Sequence, residues 1–179
     1  MNVKIRTAKT WIDNLRLAAH PEGGYFSETY RSSSKSDFYG IADRKAGNGQ
    51  NSIRNLCTSI YFLIERGRPS KLHRLQSDEI WYFHDGCPVH LIVISPSGKL
   101  TELYLGLDVS AGERPQVLVP ANHWFGAKLR ESEDPMADAF GLFGCAMAPG
   151  FDFVDFELGN KTKLTTEFPQ YEKIIAELT

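Results

Sequence analysis

An imidazole and a carboxyl group six residues apart are the strongest candidates for chemistry in this chain. His73 lies near the end of one short segment and Glu79 begins the next. Residues two apart in a β-strand share a face, so His73 and Leu75 point the same way. A turn at residues 76–78 would let Glu79 enter the same cavity from the neighbouring strand. A histidine facing a cavity can abstract a proton at neutral pH, and a nearby carboxylate can hold its imidazole in one tautomer.

The elements that must position these two groups are short strands separated by turn signals. We predict an amphipathic helix over residues 8–18, a turn at 20–24 and a mobile loop at 32–52, which is rich in Ser, Gly, Asn and charge. A C-terminal helix is predicted over residues 168–178. Short strands at even spacing favour an all-β sandwich or jelly roll. The predicted strands are residues 25–30, 58–64, 72–75, 79–83, 89–94, 100–105, 116–119, 139–147 and 151–156.

Composition narrows the classes of protein further. The chain has 179 residues, is 42% hydrophobic and 12% aromatic, and carries a net charge of −2, so we expect one folded domain spanning residues 1–179. No basic block suggests nucleic acid, and no apolar run is long enough to span a membrane. The N-terminus lacks the apolar stretch of a signal peptide. Three widely spaced cysteines fit a reducing cytoplasm.

Two segments resemble the motifs of the cupin superfamily. The first cupin motif, G-x5-H-x-H-x3-E-x6-G, is matched at Gly67, His73, Glu79 and Gly86, with leucine at position 75 in place of the second histidine. The second motif aligns on the proline at position 120. It places Phe125 where that motif carries a metal-binding histidine. His123 lies two residues before that position.

Further stretches resemble one branch, the fifth cupin subfamily, a group of small cupins without an established function. These stretches are residues 20–31, 77–81, 105–108 and 149–153, and they occur in the expected order. The resemblance runs roughly from residue 11 to residue 168. It implies a cupin jelly-roll β-barrel with short terminal helices. It also implies a homodimer, similar in shape to the deoxythymidine-diphosphate sugar epimerases, and exposed edge strands of such a fold favour the same association.

The resemblance raises the question of a metal. A catalytic metal site usually needs about three protein ligands. His73 and Glu79 can ligate, but Leu75 and Phe125 cannot, so we predict no metal cofactor. A divalent metal bound by His73, Glu79 and His123 is the alternative.

The resemblance also implies a reaction. We expect a metal-independent isomerase or epimerase of a polar, carbohydrate-like metabolite, with His73 as the base and Glu79 as its orienter or partner acid. Tyr30 and Tyr61 are the candidate acids on the opposite wall. Tyr82 is a weaker candidate, because strand parity points it away from Glu79. A non-catalytic ligand-binding cupin and a metal-assisted enzyme remain alternatives, and His73 could also be a hydrogen-bonded barrel residue without chemistry.

Residues around these groups are candidates for contact with a small-molecule ligand. Glu22 or Glu28 could lie at the cavity mouth, while Arg31 could bind a carboxylate or phosphate, or form an exposed salt bridge. Aromatic residues near the motifs could form a wall for a ring-shaped ligand or pack in the core. The candidate ligand-binding residues are Glu28, Arg31, Trp81, Phe83, His123 and Phe125.

Overall fold

The computed structural model describes residues 6–42, 51–130 and 139–179, and β-strands are their main regular structure. The strands, in chain order, are β1 (Ala18–Ala19), β2 (Tyr25–Arg31), β3 (Lys35–Ala42), β4 (Asn51–Asn55), β5 (Thr58–Glu65), β6 (Ser70–Arg74), β7 (Glu79–Gly86), β8 (Val89–Ile94), β9 (Leu100–Leu105), β10 (Gln116–Val119), β11 (Trp124–Leu129), β12 (Phe140–Met147) and β13 (Glu157–Leu158). The helices are α1 (Ala8–Leu15), α2 (Lys161–Glu167) and α3 (Glu172–Glu177).

Two sheets build a jelly-roll β-barrel. One has the strand order β1-β2-β5-β12-β7-β10 and the other has the order β13-β6-β11-β8-β9, with antiparallel pairing throughout. A separate two-stranded hairpin joins β3 to β4. The largest apolar cluster combines residues of both sheets, among them Phe62, Trp81, Leu91, Phe125 and Phe143. Burial of this cluster from water is the main force that holds the sheets together.

Strand β7 shows how the alternation of side chains positions the inner wall. Glu79 and Trp81 are buried, whereas Ile80 and Tyr82, which alternate with them, are half-buried. On the neighbouring strands, Met147 and Val119 pair with Glu79. A carboxyl group is therefore held inside the barrel by the same period of two that buries its apolar neighbours.

The helices cover the outer faces of the sheets. Helix α1 begins after Thr7, whose hydroxyl accepts a hydrogen bond from the Thr10 amide at 3.2 Å, and ends at Arg16, which adopts a left-handed conformation. Its apolar face packs on Leu63 and Leu142, while α2 and α3 pack on the second sheet beside Ile92. Within the described part of the chain, no helix is long and apolar enough to cross a membrane.

The structure confirms the all-β jelly roll and corrects several local predictions. The predicted loop at 32–52 contains β3 and β4, although residues 43–50 lie outside the described residues. The predicted strand at 151–156 is instead a 3-10 turn, Phe153–Asp155, followed by the short strand β13. The C-terminal helix is shorter than predicted, and α2 and β11 were not predicted. These errors concern segments whose conformation is set by packing on the barrel rather than by their own periodicity.

A buried ion pair fixes the hairpin to the segment that follows β12. Arg54 on β4 donates two hydrogen bonds to Asp155, at 2.7 and 2.8 Å, and Gln76 donates a third to Asp155 at 2.8 Å. The Arg54 and Asp155 side chains are 8% and 1% exposed. Each buried charge depends on its partner. Together with Gln76, the pair connects β4, the turn after β6 and the segment after β12.

Asp155→Ala should destabilise the protein strongly. The substitution leaves a buried guanidinium without this carboxylate, so we expect a loss of about 3–5 kcal/mol in the free energy of unfolding. Urea unfolding followed by tryptophan fluorescence measures the loss. The matched control is Asp13→Ala, which breaks an exposed pair with Lys9 and should cost less than about 1 kcal/mol. Equal losses for the two variants would contradict the structural role of the buried pair.

Candidate functional site

A cavity of about 290 Å³ opens into one end of the barrel. Its walls are mainly apolar and come from β2, β5, β12 and the segment after β12: Phe26, Ile60, Phe62, Met147, Phe151 and Phe153. Its inner part carries ionisable side chains, namely His20, Glu22, His73 and Glu79. A concave, largely apolar site with a few convergent polar groups is typical of small-molecule binding.

The carboxylate of Glu22 is the group in contact with His73. Oε2 of Glu22 lies 3.2 Å from Nε2 of His73, and Oε1 accepts a hydrogen bond from the Ser70 hydroxyl at 2.8 Å. A third contact joins Oε2 to Nδ1 of His20 at 3.3 Å. The side chains of Glu22 and His73 are only 7% and 2% exposed. Glu22, rather than Glu79, therefore holds the imidazole in place.

The turn before β2 brings Glu22 into the barrel. Gly23 and Gly24 have φ angles of +111° and +67°, and a Cβ on Gly23 would lie 2.3 Å from the Pro69 carbonyl oxygen. Only glycine combines that backbone conformation with so close an approach. The carbonyl of Glu22 accepts a hydrogen bond from the Lys71 amide at 2.8 Å, which docks the turn on β6 beside His73.

Hydrogen-bond geometry places one proton within the Glu22–His73 pair. Nδ1 of His73 lies 2.7 Å from the Lys71 carbonyl oxygen, which can only accept, so Nδ1 carries a hydrogen. Nε2 then faces the carboxylate, and this contact is favourable only if a second proton lies between Nε2 and Oε2. The pair as a whole is then electrically neutral.

The pKa directions of the two groups have identifiable causes. Burial alone would raise the pKa of Glu22, but His73, His20 and Ser70 together lower it below its usual value. Burial lowers the pKa of His73, against the opposing effects of Glu22 and the Lys71 carbonyl. The first shift favours a charged carboxylate and the second a neutral ring. A charged carboxylate and a neutral ring would set two lone pairs, one on Nε2 of His73 and one on Oε2 of Glu22, against each other at 3.2 Å. Because these lone pairs would repel each other, a proton must lie between the two atoms.

Glu79 lines the same cavity, and its side chain is in the protonated, carboxylic acid form. Burial, and then the charge of Glu22, raise the pKa of Glu79 to about 8, against a hydrogen bond from Trp81 that lowers it. Nε1 of Trp81 donates to Oε2 of Glu79 at 2.7 Å. Because an indole can only donate, the acidic proton belongs on Oε1, which makes no hydrogen bond within the described residues. Trp81 thus determines which oxygen of Glu79 can donate to a ligand.

An ion pair borders the outer part of the cavity. Arg31 donates to both carboxylate oxygens of Glu28, from Nε at 2.9 Å and from Nη2 at 2.6 Å. Its Nη1 donates to Oδ1 of Asn55 at 3.1 Å and to the Phe151 carbonyl at 3.0 Å. Both charged side chains are 38% exposed. Arg31 therefore links β2 to the segment that forms the opposite wall.

The candidate acids Tyr30 and Tyr61 lie outside the cavity, so their assignment as cavity acids is wrong. Tyr30 is 55% exposed, and Tyr61 packs against His84 on the outer side of the sheet. Tyr61 lies between Ile60 and Phe62, which both line the cavity, so strand parity turns it outward. Within the described residues no tyrosine side chain lines the cavity.

The remaining candidates divide between wall and core. Glu28, Arg31 and Trp81 line the cavity. Phe83 and Phe125 do not line the cavity and pack in the apolar core, where the Phe125 ring lies 4.0 Å from the ring of His73. His123 is also outside it, with Nδ1 bound to the Ala121 carbonyl at 2.9 Å.

The described residues do not fit a metal ion. No three His, Cys, Asp or Glu side chains in residues 6–42, 51–130 and 139–179 converge in a way that could hold one. Of the four positions where the cupin motifs carry metal ligands, two hold apolar residues in this chain. Leu75 lines the cavity, and Phe125 packs on the ring of His73. His123, the proposed third ligand, is held elsewhere by Ala121.

The sequence analysis misses the role of one residue and misplaces another. His20 was predicted only as part of the turn after the first helix. Glu22 was one of two alternatives, with Glu28, for the cavity mouth, and it lies instead against His73. The spacing of His20 and Glu22, followed by two glycines, is the available signal. Nothing local shows that this turn docks on β6, because that contact is formed by residues about 50 positions apart.

Comparison with known proteins places the chain in a family. The family model described as Cupin superfamily (DUF985) matches residues 9–159, so the chain belongs to this cupin family. The crystal structure of protein SO0799 from Shewanella oneidensis is similar at 39% identity, with a TM-score of 0.82 and 98% of each chain covered. The uncharacterized protein YML079W of Saccharomyces cerevisiae is 31% identical over 145 residues, which are 80% of this chain and 71% of that protein.

A more distant likeness concerns the fold alone. Oxalate decarboxylase from Bacillus subtilis superposes with a TM-score of 0.52 at 14% identity. The match covers 90% of this chain and 36% of that protein. The barrel is therefore shared with a known enzyme, whereas the reaction of this chain must be argued from its own cavity.

Glu79→Gln should stabilise the protein more at high pH than at low pH. The folded state keeps the Glu79 proton up to about pH 8, whereas the unfolded chain loses it near 4.5. Between these values the folded state binds more protons, so wild-type stability falls as the pH rises. Relative to wild type, the variant should gain a few kcal/mol in the free energy of unfolding between pH 5 and pH 9.

Urea unfolding at the two pH values measures this gain. Glu167→Gln, at an exposed carboxyl on α2, is the matched control and should show no such change. A difference between Glu79→Gln and wild type that stays constant from pH 5 to pH 9 would contradict a protonated Glu79.

Proposed function

We propose that this cupin is a metal-independent isomerase or epimerase of a small hydroxy-carbonyl metabolite, the reacting group that carbohydrates carry. The observation that supports the proposal most directly is that one cavity holds two groups with complementary proton chemistry. The Glu22–His73 pair can accept a proton, and Glu79 can give one. Isomerisation next to a carbonyl requires these two capacities together.

The roles follow from the positions of the protons. The base is the Glu22–His73 pair, which shares one proton between Nε2 and Oε2 and takes a further proton from the carbon next to the carbonyl group. Glu79 gives its Oε1 proton to the carbonyl oxygen, and an enediol forms. The pair becomes positive as Glu79 becomes negative, so the net charge of the buried site does not change. In an isomerisation the pair gives its added proton to the neighbouring carbon, and in an epimerisation it releases that proton to solvent while a solvent proton reaches the opposite face of the same carbon. In both cases Glu79 takes back a hydroxyl proton of the enediol, and a carbonyl group forms.

This assignment revises the base that the sequence suggested. Both ring nitrogens of His73 are engaged, one by Lys71 and the other by Glu22. A substrate therefore meets the carboxylate of Glu22, and His73 supports it by sharing the proton. Cys145 also lies on the cavity, but burial raises the pKa of its thiol well above the usual value, so it does not serve as a nucleophile.

Proton exchange with solvent tests the proposal on simple compounds that carry the reacting group. Dihydroxyacetone, glyceraldehyde and 3-hydroxy-2-butanone in D2O, followed by proton NMR, should lose their carbon-bound α-protons in the presence of the protein. His73→Gln and Glu79→Gln should each slow exchange by about 10²–10⁴-fold. His84→Gln, outside the cavity, is the matched control. Dialysis against EDTA should leave the rate unchanged.

The same assay has a pH signature. Glu79 must hold its proton to donate it, so the rate should fall as the pH rises through about 8. Wild-type protein that binds these compounds without exchanging their protons would contradict the proposal and favour a non-catalytic binding cupin. Loss of exchange after EDTA, restored by a divalent metal, would favour the metal-assisted alternative.

The proposal includes a homodimer in the cytoplasm. Support for the dimer comes from edge strand β10 and the segment after β9, which expose Leu118, Leu107 and Val109 at 49%, 66% and 62%. Unpaired edges with apolar side chains attract partners. Light scattering at micromolar concentration should give twice the chain mass of 20.1 kDa. A single-chain mass would contradict the dimer.

A further inference from the structure

We propose that the cavity selects a small uncharged ligand with an apolar body, and that Glu28 determines this selectivity by holding Arg31. The inference rests on the proposed function in one respect, because it takes the same cavity as the substrate site. It deepens that function by naming the class of molecule that the site accepts.

The size and walls of the cavity favour a compact, partly apolar ligand. A volume of about 290 Å³ is at the lower end of the range for small-molecule sites. Phe26, Ile60, Met147, Phe151 and Phe153 present hydrocarbon to most of it. A fully hydroxylated sugar would leave hydroxyl groups against these side chains without hydrogen bonds, which is costly. A single carbonyl or hydroxy-carbonyl group at the inner end has partners in Glu22 and Glu79.

The charges around the cavity disfavour anions. Carboxyl groups line it at Glu22, Glu28, Glu79 and Asp152. Arg31 is a basic side chain on the cavity, and it already donates hydrogen bonds to both oxygens of Glu28. The histidines His20 and His73 both contact Glu22. A carboxylate or phosphate would have to displace one of these partners or enter without a counter-charge.

Cations are disfavoured for a different reason. The negative charge of Glu22 is balanced by the proton that it shares with His73, and Glu79 holds a proton of its own. An ammonium group at the inner end would therefore find no uncompensated carboxylate. A neutral ligand needs no such rearrangement, and Oε1 of Glu79 offers it a hydrogen-bond donor.

Glu28 is the residue that neutralises the Arg31 guanidinium at the cavity mouth. Its carboxylate takes two of the hydrogen bonds that the Arg31 guanidinium can donate, in the paired geometry that carboxylates and guanidinium groups favour. Asn55 and the Phe151 carbonyl hold the remaining arm of Arg31 in place. Glu28→Gln removes the negative charge but keeps the size of the side chain. The fixed guanidinium would then attract an anion.

Three probes that share a 2-phenylethyl group and have similar shapes test the selectivity. They are 4-phenyl-2-butanone, which is neutral, 3-phenylpropanoate, which is an anion, and 4-phenyl-2-butylammonium, which is a cation. Dissociation constants come from NMR titration of the ¹⁵N-labelled full chain at pH 7. The ketone should bind wild-type protein at least about tenfold more tightly than either charged probe, a difference of about 1.4 kcal/mol in binding free energy.

Variants separate the role of Glu28 from general electrostatics. Glu28→Gln should reduce the preference for the ketone over the carboxylate by roughly fivefold, since it uncovers a positive charge. Arg31→Met, which removes the cation as well as its contact to Glu28, should give the carboxylate no such gain. Glu177→Gln breaks an exposed pair with Lys128 on the outer surface and is the matched control.

Several results would overturn the inference. These are carboxylate binding to wild type as tight as ketone binding, tighter binding of the ammonium probe, or no binding of the ketone. The wild-type comparison does not depend on whether a variant folds. Ketone binding together with absent proton exchange on the hydroxy-carbonyl panel would contradict the proposed function and support this inference. Exchange without a preference for the neutral probe would do the reverse.

Discussion

The contact between Glu22 and His73 is the constraint on which the rest of the site depends. Two ionisable side chains are almost completely buried, and each is acceptable there because the other shares its proton. The Ser70 hydroxyl and the Lys71 carbonyl satisfy the remaining polar atoms of the pair. The turn at Gly23 and Gly24, whose positive φ angles glycine adopts readily, delivers this carboxylate, so local backbone conformation, packing and proton chemistry are linked at one point.

In this site, bound protons rather than a metal ion balance the charges of the buried carboxyl groups. Where other barrels of the superfamily could place metal ligands, Leu75 and Phe125 supply apolar surface, and the phenyl ring of Phe125 packs on His73. The surrounding low polarity keeps Glu79 protonated near neutral pH, as burial of a carboxyl group generally does. Proton transfer in both directions can then proceed without the appearance of net charge inside the barrel. A neutral substrate is the natural counterpart of such a cavity, which connects the proposed reaction with the proposed selectivity.

Much of the barrel could be predicted from the sequence because its strands have a strong period of two and clear turns between them. The strands at 89–94, 100–105 and 116–119 were predicted with their observed bounds. The convergence of His73 and Glu79 on one cavity followed from the same parity. Parity also explains why Tyr61 points outward, although the sequence analysis applied that argument only to Tyr82.

The partner of His73 could not be predicted in this way. Glu22 reaches it through a docking contact between a glycine turn and β6, and no periodicity within either segment encodes that contact. The hairpin of β3 and β4 was likewise hidden, since its polar composition is typical of a loop and its position is fixed by the buried pair of Arg54 with Asp155. Both the position of Glu22 and that of the β3–β4 hairpin depend on contacts between residues far apart in the sequence, which local patterns do not encode.

The most direct measurement of the central claim is the protonation of the His73 ring nitrogens, from ¹H–¹⁵N NMR of protein labelled with ¹⁵N-histidine. The account predicts a hydrogen on Nδ1, directed at the Lys71 carbonyl, and an Nε2 signal that is strongly changed by Glu22→Gln but not by Glu167→Gln. A bare Nδ1, or an Nε2 signal that does not respond to Glu22→Gln, would contradict it.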